Sequence, residues 1–152
     1  MVVLHIRRVF ILALFAFLLA LTGCGGGGFA VTGKVTFPDG SPLDTGTVVF
    51  DSGSTVFYGG VDKQGNYTMM GTEGSKGIPA GSYQIYLMGT VRSPYADAEP
   101  IPTDADGNQI GPPRPELPDI QLVANKFLQK GTSGLQCDVK GKTEFNIPVE
   151  KP

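Results

Sequence analysis

Beyond residue 28 the apolar positions recur with a period of two, the pattern of strands that bury one face. In residues 29–37, Val31, Gly33, Val35 and Phe37 share one side, and Thr32, Lys34 and Thr36 the other. Residues 45–51 repeat this with Val48 and Phe50 inward. Residues 55–61 predict a third strand, with a bulge expected at Gly59-Gly60. Residues 67–70 make a short fourth. In residues 82–88, Tyr83, Ile85 and Leu87 alternate against Gln84, Tyr86 and Met88. The last two segments, 135–140 and 143–150, are expected to pair as a hairpin across Gly141. Leu135, Cys137 and Val139 share one face there, and Phe145, Ile147 and Val149 point inward. Pro148 assigns the last segment to an edge or a strand end.

Turn chemistry separates these segments. Pro38-Asp39-Gly40-Ser41-Pro42, Ser52-Gly53-Ser54 and Asp62-Lys63-Gln64-Gly65-Asn66 supply the carboxylates, hydroxyls and glycines that tight turns use. Residues 90–120 break the pattern. They hold Pro94, Pro100, Pro102, Pro112, Pro113, Pro115 and Pro118, with few apolar anchors. That is too proline-rich for a helix and too long for an ordinary connection. It is read as a surface excursion, partly extended. Residues 121–130 return with aliphatics and Phe127. The expected fold is all-β: a seven-stranded antiparallel sandwich of two sheets, Ig-like in its layering, with no helix longer than a turn. The 22 glycines and 12 prolines agree, being the poorest helix formers.

The first 28 residues follow a different pattern. His5, Arg7 and Arg8 form a positive start, and residues 9–21 then run without a charge. Roughly 13 apolar residues are short of the ~20 that a membrane-spanning helix needs, and suit the core of an export signal. Leu21-Thr22-Gly23-Cys24 follows, and resembles the lipobox of bacterial lipoproteins: an aliphatic residue, two small residues, then the cysteine. That resemblance implies cleavage before Cys24 and lipid on its sulfur. Each buried CH₂ of an acyl chain contributes about 0.8 kcal/mol, and stable anchoring takes more than one chain. The chain therefore divides into a signal (1–23), a lipidated Cys24 with a glycine tether (24–28) and one β domain (29–152). Gly25 stands where an Asp favours inner-membrane retention in some bacteria. The expected location is thus the outer membrane, facing the periplasm or the exterior.

Charge and chemistry narrow the role. The net charge is −2, and losing residues 1–23 removes Arg7 and Arg8. No basic stripe exists for nucleic acid. Cys137 is the second of two cysteines and is left alone once Cys24 is acylated. Its alternating neighbours make it a small buried hydrophobe. Ser52, Ser54 and Ser133 invite a nucleophile reading, but the one histidine, His5, lies in the signal, and a serine nucleophile needs an adjacent base. Asp104, Asp106 and Asn108 are spaced like the first half of a calcium loop. The sixth position is Gln109 instead of glycine, and Glu116 falls one place late for the bidentate ligand, so a solvated turn is preferred. Tyr83, Tyr86, Tyr95, Phe57 and Tyr58 raise a sugar-stacking surface. Tyr86 and Tyr95 are its candidate binding residues, because alternation makes Tyr83 a core residue.

Several spaced motifs resemble one family. Val31-Thr32-Gly33-Lys34-Val35-Thr36-Phe37, Asp39-Gly40-Ser41-Pro42-Leu43 and Gly46-Thr47-Val48-Val49-Phe50 resemble the opening of carboxypeptidase regulatory-like domains. Asp62 to Thr68 is similar to their D-x-x-G-x-Y hairpin, and Pro79-Ala80-Gly81-Ser82-Tyr83 to their P-x-G-x-Y step. Lys126-Phe127 and Thr132-Ser133-Gly134-Leu135 resemble the late elements of stand-alone versions in bacterial lipoproteins. Thr143 departs from an expected Asn, and the excursion is unusually long. The resemblance implies a transthyretin-like sandwich used for docking or binding, with no activity of its own. Transthyretin-like hydroxyisourate hydrolases and intradiol dioxygenases rely on histidines that residues 29–152 lack. The expectation is a non-catalytic, lipid-anchored module for protein docking or envelope structure, with no cofactor. Its partner is an envelope protein; the alternative is a glycan held by exposed aromatics. The excursion at 90–120 is the expected contact surface.

Overall fold

A computed structural model describes residues 28–72, 75 and 77–152. The signal, Cys24 and most of the tether lie outside the described residues. The described residues are nearly all β, with ten short strands and a turn of 3₁₀ helix at Asn125–Leu128. Among the described residues no helix is long and apolar enough to cross a membrane.

Two four-stranded sheets carry the fold. One runs β3 (Val56–Gly60), β2 (Thr47–Asp51), β5 (Gly81–Met88), β8 (Leu135–Val139). Its β2–β3 register is continuous from Thr47↔Gly60 to Asp51↔Val56, so the bulge expected at Gly59-Gly60 is absent. Gly59 serves close approach instead: a Cβ there would lie 2.9 Å from the Thr68 carbonyl oxygen and the Met69 sulfur. The other sheet is built around β1 (Val31–Thr36). It pairs antiparallel with β4 (Asn66–Thr68), and in parallel with β9 (Thr143–Glu144) and β10 (Ile147–Pro148).

These parallel pairs correct two expectations. The sandwich is not wholly antiparallel, and residues 135–150 do not form a hairpin. β8 stays beside β5, while the chain crosses at Lys140–Lys142 to run alongside β1 in the other sheet. Alternation fixes which face of a strand is buried, and it did so here: Cys137, Val139, Ile147 and Val149 are all buried. It carries no information on which strand lies alongside. The strand count also differs. The seven expected segments are all present, but the last is split into β9 and β10. Two further strands, β6 (Val91–Arg92) and β7 (Ile120–Gln121), form a ribbon at the base of the excursion.

The split between β9 and β10 has a local cause. Both keep one register with β1, Val31↔Thr143 and Val35↔Ile147. Between them the Asn146 side chain, at 2.9 Å, accepts the Lys34 N–H that a ladder carbonyl would otherwise take. The Phe145 carbonyl turns inward and receives the Tyr67 hydroxyl at 2.6 Å. Only glycine fits opposite: a Cβ on Gly33 would sit 1.9 Å from that carbonyl oxygen.

Between the sheets lies one core. Val31, Val35, Val48, Phe50, Ile85, Leu87 and Ile147 are fully buried in it. Phe50 is central, with its ring 5.7 Å from Tyr83 and edge-on to Phe145 at 6.3 Å. Such pairs add about 0.5–1.5 kcal/mol beyond the burial of their area.

Candidate functional site

Among the described residues, the outer face of the β3-β2-β5-β8 sheet is largely exposed. Alternation along β2 sends Val48 and Phe50 inward and Val49 outward, yet Val49 is fully buried. Its cross-strand partners explain this. Val49 lies between two large residues, Tyr58 on β3 and Tyr86 on β5. Tyr58 is itself bridged to Met70, so the row reads Met70, Tyr58, Val49, Tyr86. Tyr58, Met70 and nearby Met88 are each about half exposed, while Tyr86 is half-buried.

One step along the strands is a polar row: Asp51, Gln84 and Gln136. Lys130 donates to Asp51 at 2.9 Å. That bond, with the Gly53 N–H, holds the Asp51 carboxyl below its usual range. Burial pushes the Tyr86 phenol up, with the Asp51 charge and Tyr58 adding to it. At the end of this groove, the Ser82 hydroxyl donates to Asp138 at 2.5 Å.

The five aromatics considered as a sugar surface therefore divide. Phe57 and Tyr83 are core residues, edge-on at 6.0 Å. Tyr58 and Tyr86 share the outer sheet face. Tyr95 belongs to the excursion, where its hydroxyl donates to the Pro115 carbonyl at 2.6 Å and the Arg114 guanidinium covers its ring at 5.2 Å. The structure does not place Tyr95 in the row with Tyr86.

The excursion has a defined stem. β6 and β7 pair through Val91↔Gln121 and Arg92↔Ile120. Beneath them, buried Thr90 accepts from Gln121 at both its carbonyl (2.9 Å) and its hydroxyl (2.8 Å). Arg92 pairs with Asp44, tying the stem to the sandwich. Further out, Arg114 donates to the Glu99 carbonyl. Ile110, Leu117 and Ile120 are each more than half exposed on this segment.

No family model, curated protein or solved structure matches the chain. Asp104 accepts the N–H groups of Asp106 (3.0 Å) and Asn108 (2.8 Å) and the Asn108 amide at 3.1 Å. Asp62 does the same for Gln64 and Asn66, at 2.9, 2.8 and 3.1 Å. Gly107 and Gly65 take matching positive φ, 84° and 81°. The two D-x-x-G-N stretches are thus one turn device used twice, and these bonds hold both aspartates below their usual range. Among the described residues no cluster of three metal-ligating side chains occurs.

Two of the three serines read as nucleophile candidates, Ser52 and Ser133, are committed to main chain, and the Ser54 hydroxyl lies 3.3 Å from that of Ser52. Ser52 donates to the Thr55 carbonyl at 2.9 Å, and buried Ser133 to the Ile85 carbonyl at 2.5 Å. Cys137 is buried, and that burial, with Asp138 beside it, pushes its thiol up. Sequence reading missed Met70 and the Asp51–Lys130 pair. Met70 lies outside the β2–β5 ladder, and Lys130 is far from Asp51 in the chain, so no periodic signal linked them.

Proposed function

We propose that this chain is a bacterial lipoprotein, held by acyl chains on Cys24, whose β domain is a non-catalytic docking or envelope-structural module. In this reading residues 1–23 are removed on export. The glycine tether lets the domain stand clear of the head groups, and the outer membrane holds it. The domain is a transthyretin-like sandwich of the carboxypeptidase regulatory-like kind. Seven alternating segments and the spaced turn motifs support that assignment, with β6 and β7 belonging to the inserted excursion.

The observation that carries docking is the excursion. A stem clamped by Thr90, Gln121 and the Arg92–Asp44 pair displays Ile110, Leu117 and Ile120 to solvent. Long segments held by a rigid scaffold are where binding residues concentrate. The test is affinity capture from envelope extracts with the lipidated protein. The wild type retains a discrete envelope protein. The triple variant Ile110→Ser, Leu117→Ser, Ile120→Ser loses it while keeping its circular dichroism spectrum. Equal capture by a folded triple variant contradicts the reading.

A second reading, glycan binding, is favoured by one observation: the Tyr58–Val49–Tyr86 row runs beside the Asp51–Gln84–Gln136 row on one outer face. Aromatic faces stack on sugar rings, and amides and carboxylates bond their hydroxyls. Glycan-array binding abolished by Tyr86→Ala would establish this reading over protein docking.

A further inference from the structure

We propose that β8 is a strand-addition edge that takes up an extended peptide segment of a protein partner. The proposal rests on the docking reading and gives that partner a chemistry. β8 has β5 on one side; on the other, no strand lies beside it among the described residues. An unpaired edge presents a row of N–H and C=O groups, which native sheets usually cover or blunt.

The other strand ends here are blunted or covered. β3 is flanked by the segment after it, through Tyr58↔Met70 and Val61↔Tyr67. β10 is two residues long and ends in Pro148, which has no N–H to donate. β9, β6 and β7 are also two residues each. β8 is a five-residue strand with no proline.

The surroundings of β8 favour an occupant. Ser133 and Cys137 are each 7% exposed, against 5% or less for the other buried non-glycine residues, and Leu135 is half-buried. They form the rim that one more strand would close. On the outer face two grooves meet at Ser82 and Asp138. One leads toward Gln136 and Lys130, the other toward Val139 and Lys140. Both grooves lie over the β5–β8 seam, and the first also reaches Asp51 and Gly53 at the end of β2. An apolar patch accepts many partners, but a ladder edge is satisfied by another extended backbone. Its inward side chains would be apolar, covering Leu135 and Cys137. Its outward ones would be polar, with a cation opposite Asp138.

The probe is a fluorescein-labelled peptide, acetyl-Thr-Val-Lys-Val-Thr-Val-amide, titrated against the full chain in detergent and followed by anisotropy and amide hydrogen exchange. Saturable binding is expected, with exchange slowed about tenfold or more at residues 135–139 and little changed at Tyr58 and Tyr86. A peptide N-methylated at the nitrogens facing β8 should not bind, and Asp138→Lys should weaken binding about tenfold. No saturable binding up to about 1 mM, equal binding of the methylated peptide, or protection away from β8 would each overturn the proposal. If the peptide fails while envelope capture through the excursion persists, the edge alone is wrong. If both fail, the docking reading falls with it.

Discussion

Tyr67 shows how much one hydroxyl can organise. Its ring is buried, and its O–H meets the Phe145 carbonyl at 2.6 Å, where the last strand is interrupted. Burial pushes this phenol well above its usual range, so it remains the neutral donor at any ordinary pH. Tyr67→Phe keeps the ring and leaves that carbonyl without its partner. The expected cost is about 1–3 kcal/mol, read as a lower urea midpoint with unchanged slope. An unchanged midpoint would mean that water replaces the hydroxyl. Tyr67 was legible in the sequence as the tyrosine that follows an Asp-x-x-Gly turn. Its partner was not, because Phe145 lies 78 residues away and nothing periodic links the two. The same limit applies to Asp51 and Lys130. The aspartates that cap turns were readable because their partners are local.

At the scale of elements, faces were legible and neighbours were not. The inward sets of β1, β2, β5, β8 and the last segment are buried as alternation implies, except that Phe37, Leu135 and Phe145 are only partly so, and the strands fall within a residue or two of their expected bounds. The crossing after β8 was misread as a hairpin because a Gly-containing connection suits either outcome. What the crossing demands is visible at Gly33, where the Phe145 carbonyl occupies the place of a side chain. Gly33→Ala is therefore expected to cost about 3 kcal/mol or more. Gly40, at φ 82° with open space around it, is limited by backbone conformation alone, and Gly40→Ala should cost about 1–2 kcal/mol. Thermal melting of the two variants side by side checks this order. Reversal would mean that β9 and β10 do not pack against Gly33.

Among the described residues, two layers share one core and one long excursion leaves the sandwich through a tied stem. Charge links these parts to pH. The Ser41 hydroxyl and N–H hold Asp39 down at about 2. Lys130 lowers Asp51, Asn66 lowers Asp62, and Asn108 lowers Asp104. A carboxyl whose folded value lies below its unfolded value, about 3.9, stabilises the fold above that value. The contribution is lost as pH falls through the folded value. The urea midpoint should therefore change little from pH 7 to 5 through these groups, and drop below pH 4 toward 2. A midpoint that holds to pH 2 would show that these turn caps do not couple to folding.

The account of what the protein does depends on its being held at a membrane by lipid, and one mass measures that. The chain is expressed in a bacterium that processes lipoproteins, extracted from membranes with detergent, and weighed intact. The predicted species begins at Cys24, lacks residues 1–23 and carries at least two acyl chains; Cys24→Ala should abolish both the added mass and the cleavage before residue 24. A wild-type protein with no acyl mass, or one still beginning at Met1, would contradict the account.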